Sequence, residues 1–312
     1  MEQNTTFSDY QLQFFKRIGM EPKPIKSLDD ISDVMKACSN VFSFENLDIV
    51  SNSWEPLNKD VIIKQVLCNK QGGLCYKINT LLYHFLLEFG FNIYLIRGSV
   101  ENQDTHSNWN LPTGHMINII NFENRLYVVD VAFGCNLSLR PVPITNDGNE
   151  VIESCTGLYR IRKVYNCVEE INHYTHILEH RKPDSFLNDD AKKWVMAYAF
   201  DPLSIITNNE SDEISAIKTH QTLVQQLVID DPSKEFSTRP LAAKIVNDGS
   251  SFAIATLTAN SFTLTNCKTG EKNKTNFGTD ESFEQFNQHL ISIFNLPPLK
   301  TVPSIFLNQS PQ

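Results

Sequence analysis

Residues 71–100 read QGGLCYKINTLLYHFLLEFGFNIYLIRGSV, and inside this stretch the hydrophobic pattern changes its period. Leu82, Tyr83, Leu86 and Phe89 share one helical face, and Gly90 closes the helix. Residues 91–100 are instead a short run of Ile, Val, Tyr and Phe, the composition of a strand. The chain therefore divides here into a helical part and a β-rich part.

Upstream, Ser8 suits the cap of a helix carrying Tyr10, Phe14 and Ile18 at four-residue steps, with Gly19 as its stop. Ile31, Val34, Met35 and Cys38 predict a second helix, and Val61, Ile62, Val66 and Leu67 a third. Downstream, residues 115–121 and 125–133 read as strands joined by a turn at Glu123-Asn124, with further strands at 157–165, 174–180 and 194–200. Such close spacing without intervening helices predicts an antiparallel sheet or barrel. The polar run TNNESDE at 207–213 marks a boundary. Strands at 241–247, 251–257 and 260–265 follow it, then a helix at 281–295 that Pro297 and Pro298 stop.

Composition narrows the function. With 41% hydrophobic residues the chain fills packed cores, and its net charge of −9 argues against nucleic acid and anionic lipid. No apolar run reaches a membrane-spanning length, and the first residues lack the pattern of a secretory signal. The 7 cysteines are odd in number and irregular in spacing, which fits reduced thiols in the cytoplasm better than a disulfide frame or zinc site. The spacing of His173, His176 and His180 suits a metal only if that segment is a helix, and a strand reading is as natural.

One cysteine stands apart. Gly72 and Gly73 let the backbone turn into the helix, so Cys75 lies at its first turn, where free amides and the helix dipole favour an anion. A thiolate nucleophile needs a base and a group to orient that base. In the hairpin about Glu123-Asn124, residue 115 falls opposite residue 132, so His115 and Asp130 are diagonal neighbours within reach of a hydrogen bond. Asp130 also stands in an apolar run, where a carboxylate without a partner is costly.

The order Cys75, His115, Asp130 resembles the catalytic triad of the arylamine N-acetyltransferase family. Phe44-Glu45-Asn46-Leu47 is similar to the family's F-E-N-L, Gln71–Cys75 to its R-G-G-x-C, and Asp130–Gly134 to its D-x-G-F-G, with Asn79 in the place of a family asparagine. The resemblance implies an α+β multidomain fold with a cysteine-proteinase-like core. Its parts would be a helical bundle over 1–92, an antiparallel β-barrel over 93–206 and an α/β lid over 207–312. It implies acetyl-CoA as co-substrate, no metal, a small aromatic amine as acceptor, and ping-pong transfer through an acetyl-cysteine. By the same likeness Phe44 and Phe133 are candidates for the acceptor pocket, and Thr113, Gly114 and Ser233 for the CoA site.

The sequence departs from the family at Gln71, which replaces an arginine, at Lys77, and at Ala132, which replaces a glycine. These changes suggest a Glu45–Gln71 hydrogen bond, with Lys77 supplying the missing positive charge. Four other readings remain open: an amide synthase of the same family, a papain- or transglutaminase-like thiol hydrolase, an inactive binding module, and the histidine metal site. The oligomeric state is open as well.

Overall fold

The structure, a computed structural model, describes residues 6–102, 109–164, 174–206, 213–230, 235–247, 251–278 and 281–307. The N-terminal part is built from α1 (Asp9–Ile18), α2 (Leu28–Val41), β1 (Phe44–Glu45), α3 (Leu47–Val50), α4 (Lys59–Ile62) and α5 (Cys75–Glu88), with a π-helical turn at Ile63–Cys68 continuing α4. Capping sets the boundaries. Ser8 Oγ accepts from Gln11 N while the Gln11 side chain accepts from Ser8 N, and Gly19 ends α1 in left-handed backbone at φ 71°. Ser27 and Asp30 form the same reciprocal cap on α2. The apolar faces meet in one core, where Phe14 stacks on Phe85 at 4.0 Å between ring centres.

The central part is an eight-stranded antiparallel sheet in the order β5-β4-β3-β2-β9-β8-β7-β6. Its strands are β2 (Asn92–Glu101), β3 (Trp109–Phe122), β4 (Arg125–Val129), β5 (Val142–Pro143), β6 (Ile152–Ser154), β7 (Gly157–Lys163), β8 (His176–Arg181) and β9 (Val195–Ile205). A bridge between Asp147 and Arg162 brings the two ends of the sheet together, so the barrel is nearly closed. The predicted hairpin has its expected register: Asn118 pairs with Val129 and Phe122 with Arg125. Glu123 and Asn124 both take positive φ, the turn that matches the twist of the flanking strands.

Two strand boundaries differ from the reading of the sequence. His115 does not open its strand but lies within it, opposite Gly98, because pairing continues past a register shift as far as Trp109. The next strand ends at Val129 rather than at 133, so Asp130 stands just beyond the ladder.

The C-terminal part holds α6 (Glu213–Ile229), α7 (Glu235–Thr238), β10 (Leu241–Asn247), β11 (Phe252–Thr258), β12 (Ser261–Asn266), β13 (Lys272–Asn276), α8 (Ser282–His289) and α9 (Ser304–Leu307). The helix predicted at 281–295 becomes π-helical at Leu290–Phe294. Helix α6 was not foreseen, because it begins inside the polar run taken for a boundary. A second surprise is β1, which adds to the edge of this sheet through Phe44–Ala243 and Glu45–Ala242 pairs and so ties the helical part to the C-terminal one.

Candidate active site

Leu74 is in extended backbone before α5 and no side chain caps the helix, which leaves the first-turn amides and the positive dipole end around Cys75. The preceding glycines are there for close approach. A Cβ on Gly72 would lie 2.2 Å from Ser43 O, and one on Gly73 2.7 Å from Lys77 Cδ. Cys75 is 7% exposed, and its thiol is directed at Gly114 O, 3.6 Å away.

His115 reaches the sulfur from β3 at a point where β4 has already ended. Its Nε2 is 2.7 Å from Asp130 Oδ2. The ring also hydrogen-bonds Cys75, which therefore faces Nδ1. Burial acts to lower the imidazole pKa, but the Asp130 and Cys75 charges and their hydrogen bonds carry it up to about 10. These partners favour the protonated ring.

Asp130 is held from four directions. Oδ1 accepts from Asn79 Nδ2 and from Ala132 N, each at 2.9 Å, and Oδ2 accepts from Tyr198 Oη at 3.1 Å as well as from His115. Burial acts to raise its pKa, yet His115 and these donors hold the carboxyl below the usual range. Asn79 lies one helical turn after Cys75 and also donates to Met116 O and accepts from Val131 N. One amide thus locks the helix that carries the sulfur onto the barrel that carries the base.

The other candidates are placed unevenly. Phe133 packs against His115 at 5.4 Å and Tyr198 at 5.1 Å between ring centres. Phe44 is not in that group. It lines a narrow crevice with Gly73, Ala132 and Ala243, and meets Phe236 edge-on. Thr113 is in left-handed backbone at φ 51°, with its N–H donated to Ser99 Oγ at 2.7 Å. Gly114 supplies the carbonyl that receives the Cys75 thiol. Ser233 and His173 lie outside the described residues. His176 and His180 are on strand β8, so the helical spacing a metal would need is not formed there. No group of three or more His, Cys, Asp or Glu suited to a metal occurs among the described residues.

Comparison with known proteins shows the family. An N-acetyltransferase family model matches residues 27–297. The chain is 80% identical to probable arylamine N-acetyltransferase 3 of Dictyostelium discoideum, covering 99% of this chain and 100% of that one. The chain belongs to the arylamine N-acetyltransferase family. It is accordingly an acyltransferase. Probable arylamine N-acetyltransferase 1 of the same organism is 65% identical over 97% of this chain and 96% of its own length. Among solved structures, an arylamine N-acetyltransferase of Bacillus cereus superposes with a TM-score of 0.75 at 32% identity, over 93% of this chain and all of that one. That enzyme has a unique Cys-His-Glu catalytic triad; here the acid bonded to His115 is Asp130.

The departures from the family pattern resolve into a second buried charge group. Lys77, one of the first residues of α5, is 2% exposed and pairs with Asp48 at 2.6 Å. The expected Glu45–Gln71 bond is not formed. Glu45 accepts from the backbone N–H groups of Leu47, at 2.6 Å, and Gly72, and Gln71 Oε1 is buried with no hydrogen-bond partner among the described residues. Backbone amides compete successfully because β1 carries Glu45 directly over the glycine turn. Burial first, then the Asp48 charge, pushes Glu45 up to about 7, against the opposing Lys77 charge.

Reading the sequence missed Tyr198 as a partner of Asp130. The signal was present, a tyrosine inside the apolar stretch 197–200 of β9, whose hydroxyl needs a buried acceptor.

Proposed function

We propose that the protein transfers acetyl groups from acetyl-CoA to arylamines, arylhydrazines or N-hydroxyarylamines by a ping-pong reaction on Cys75. The observation that carries this reading is the His115 Nε2–Asp130 Oδ2 distance of 2.7 Å, with the other face of the ring turned to a sulfur at a helix start. A cation against a sulfur favours the thiolate form of a cysteine. The Cys75 thiolate attacks the thioester carbonyl, the carbon–sulfur bond to CoA breaks, and His115 returns its proton to the departing sulfur. His115, now neutral, takes the proton of the attacking amine, the amide forms, and Cys75 leaves again as thiolate. Asp130 keeps the proton-bearing Nε2 turned away from the sulfur throughout.

Phe133, beside the base, forms a wall on which a flat amine stacks, and Phe44 lines the neighbouring cleft. Thr113, Gly114 and Ser233 are assigned to the donor side. The bundle, barrel and lid span 1–92, 93–206 and 207–312, and the reaction takes place in the cytoplasm.

The test is intact mass spectrometry after incubation with acetyl-CoA. One acetyl adduct is expected on the wild type, lost on adding an arylamine, and absent from Cys75→Ser. A wild type that stays unmodified by acetyl-CoA and by longer acyl-CoAs overturns the reading. Separately, His115→Ala is expected to react slowly with iodoacetamide at neutral pH, and undiminished alkylation of Cys75 there removes His115 as the base.

A further inference from the structure

Away from the active site, the barrel and the C-terminal sheet meet at a cluster of thiols around one half-buried lysine. Cys155 is in the turn between β6 and β7, and Cys267 directly follows β12. The two thiols lie close enough for each to change the ionisation of the other. The backbone fixes both. Ser154 Oγ and Thr156 Oγ1, on either side of Cys155, donate to Leu137 O at 2.9 and 2.8 Å, and Cys267 N donates to Phe252 O at 2.9 Å.

Lys182, just after β8, links the two turns. Its Nζ donates to Asn136 Oδ1 at 2.8 Å and to Thr156 O at 2.9 Å, beside Cys135 and Cys155. The segment that follows is bonded to the residues after Cys267: Ser185 Oγ donates to Lys268 O at 2.9 Å, and Leu187 N donates to Thr269 O at 2.7 Å. Among the described residues Lys182 has no carboxylate partner, and the charges that act on it are those of Cys267, Cys135 and Cys155. Partial burial lowers the Lys182 pKa, and the thiols around it act to raise it again; an amine held this close to thiols favours their ionised form. The three thiols are not equal. The Cys267 thiol first, then a hydrogen bond from the Cys155 backbone and last the Lys182 charge, against burial, hold Cys155 below the ordinary thiol range. Cys267 is raised, and burial pushes Cys135 up to about 12. Cys155 is also partly exposed, whereas Cys135 and Cys267 are buried.

We infer that Cys155 is a second reactive thiol of this protein, oxidised by hydroperoxides and then joined to Cys267 in a disulfide that ties the barrel to the C-terminal sheet. In the first step the Cys155 thiolate displaces hydroxide from hydrogen peroxide and becomes a sulfenic acid. In the second the Cys267 sulfur attacks it, water leaves with the Cys267 proton, and the sulfur–sulfur bond forms. The two thiols lose two electrons and the peroxide gains them. The bond has a route to the active site. Cys155 packs in the same apolar cluster as Phe133, which touches His115, and as Ala243, which pairs with Phe44.

The test treats the intact protein with hydrogen peroxide, unfolds it, blocks free thiols with iodoacetamide and maps the peptides without reduction. A Cys155–Cys267 linked peptide is expected, in the wild type and equally in Cys75→Ser, so the outcome does not depend on the transferase reading. Cys267→Ser should leave Cys155 as a sulfenic acid that dimedone captures, and Cys155→Ser should leave Cys267 a free thiol. Lys182→Met should slow formation of the bond by about three- to tenfold. The inference is overturned if Cys155 is oxidised no faster than the exposed Cys68, or if Cys267 remains free after Cys155 has been oxidised.

Discussion

Helix α5 carries two buried charge groups at its first turn, and they are built on different terms. Cys75, with His115 and Asp130, faces the barrel, while Lys77, two residues on, meets Asp48 and Glu45 behind the glycine turn. In the first group the one carboxylate is met by four donors and stays well ionised. The second has two carboxylates for one ammonium, and the surplus is relieved by Glu45 moving up to about 7. A catalytic ion pair must hold its charges through the working pH range. A structural one is free to take up a proton.

The sharpest break between the two groups is Asp130→Asn. The amide cannot hold the imidazolium or its tautomer, and acetyl transfer should fall by roughly 10³–10⁴-fold. The pH dependence of stability should change with it. The raised His115 pKa contributes stability that is complete below about 6.5 and lost as pH rises through about 10, so the wild type should weaken across that window and the variant much less. Melting curves from pH 6 to pH 10 check this.

Lys77→Met should act the other way, on stability before chemistry. Removing one member of a buried pair costs about 3–5 kcal/mol, seen as a lower urea midpoint, while the protein that remains folded should keep its rate of acetyl adduct formation within about threefold. Replacing both partners, Lys77→Met with Asp48→Leu, should restore most of the loss. If the single variant stays stable but fails to acetylate, the two groups are one machine and the comparison fails.

Smaller effects refine it. Glu45 contributes stability that is full below about 4.5 and lost as pH rises through about 7, so Glu45→Gln should flatten the wild-type decline in that window. Gln71→Met removes a buried carbonyl oxygen that has no partner among the described residues, and should be neutral or stabilising by about 0.5–1 kcal/mol in denaturant unfolding. A loss of 2 kcal/mol or more, on the order of a broken buried hydrogen bond, would mean that Gln71 has a partner after all.

Much of this was legible in residue order because it rests on local physics. Ser8 and Gly19 bound α1, the Glu123-Asn124 turn sets the hairpin register, and that register brings His115 to Asp130. Local pattern failed where the partner is remote in sequence. Phe44-Glu45 has too few residues to show a strand period and becomes one only by pairing with β10. Helix α6 was hidden behind its polar start. Phe44 and Phe133 look alike as aromatic candidates, yet only Phe133 packs on the base.

By itself the sequence determined the helix-to-strand switch, the family, and which cysteine, histidine and aspartate lie together, because turn chemistry and periodicity act over a few residues. Tertiary structure alone decided how Glu45 and Lys77 are paired, that Tyr198 and Asn79 hold Asp130, and that Cys155, Lys182 and Cys267 converge. The reason is one of range. A buried charge or thiol takes its properties from whatever lies within a few ångströms, and residues more than a hundred positions away in the chain supply much of that shell.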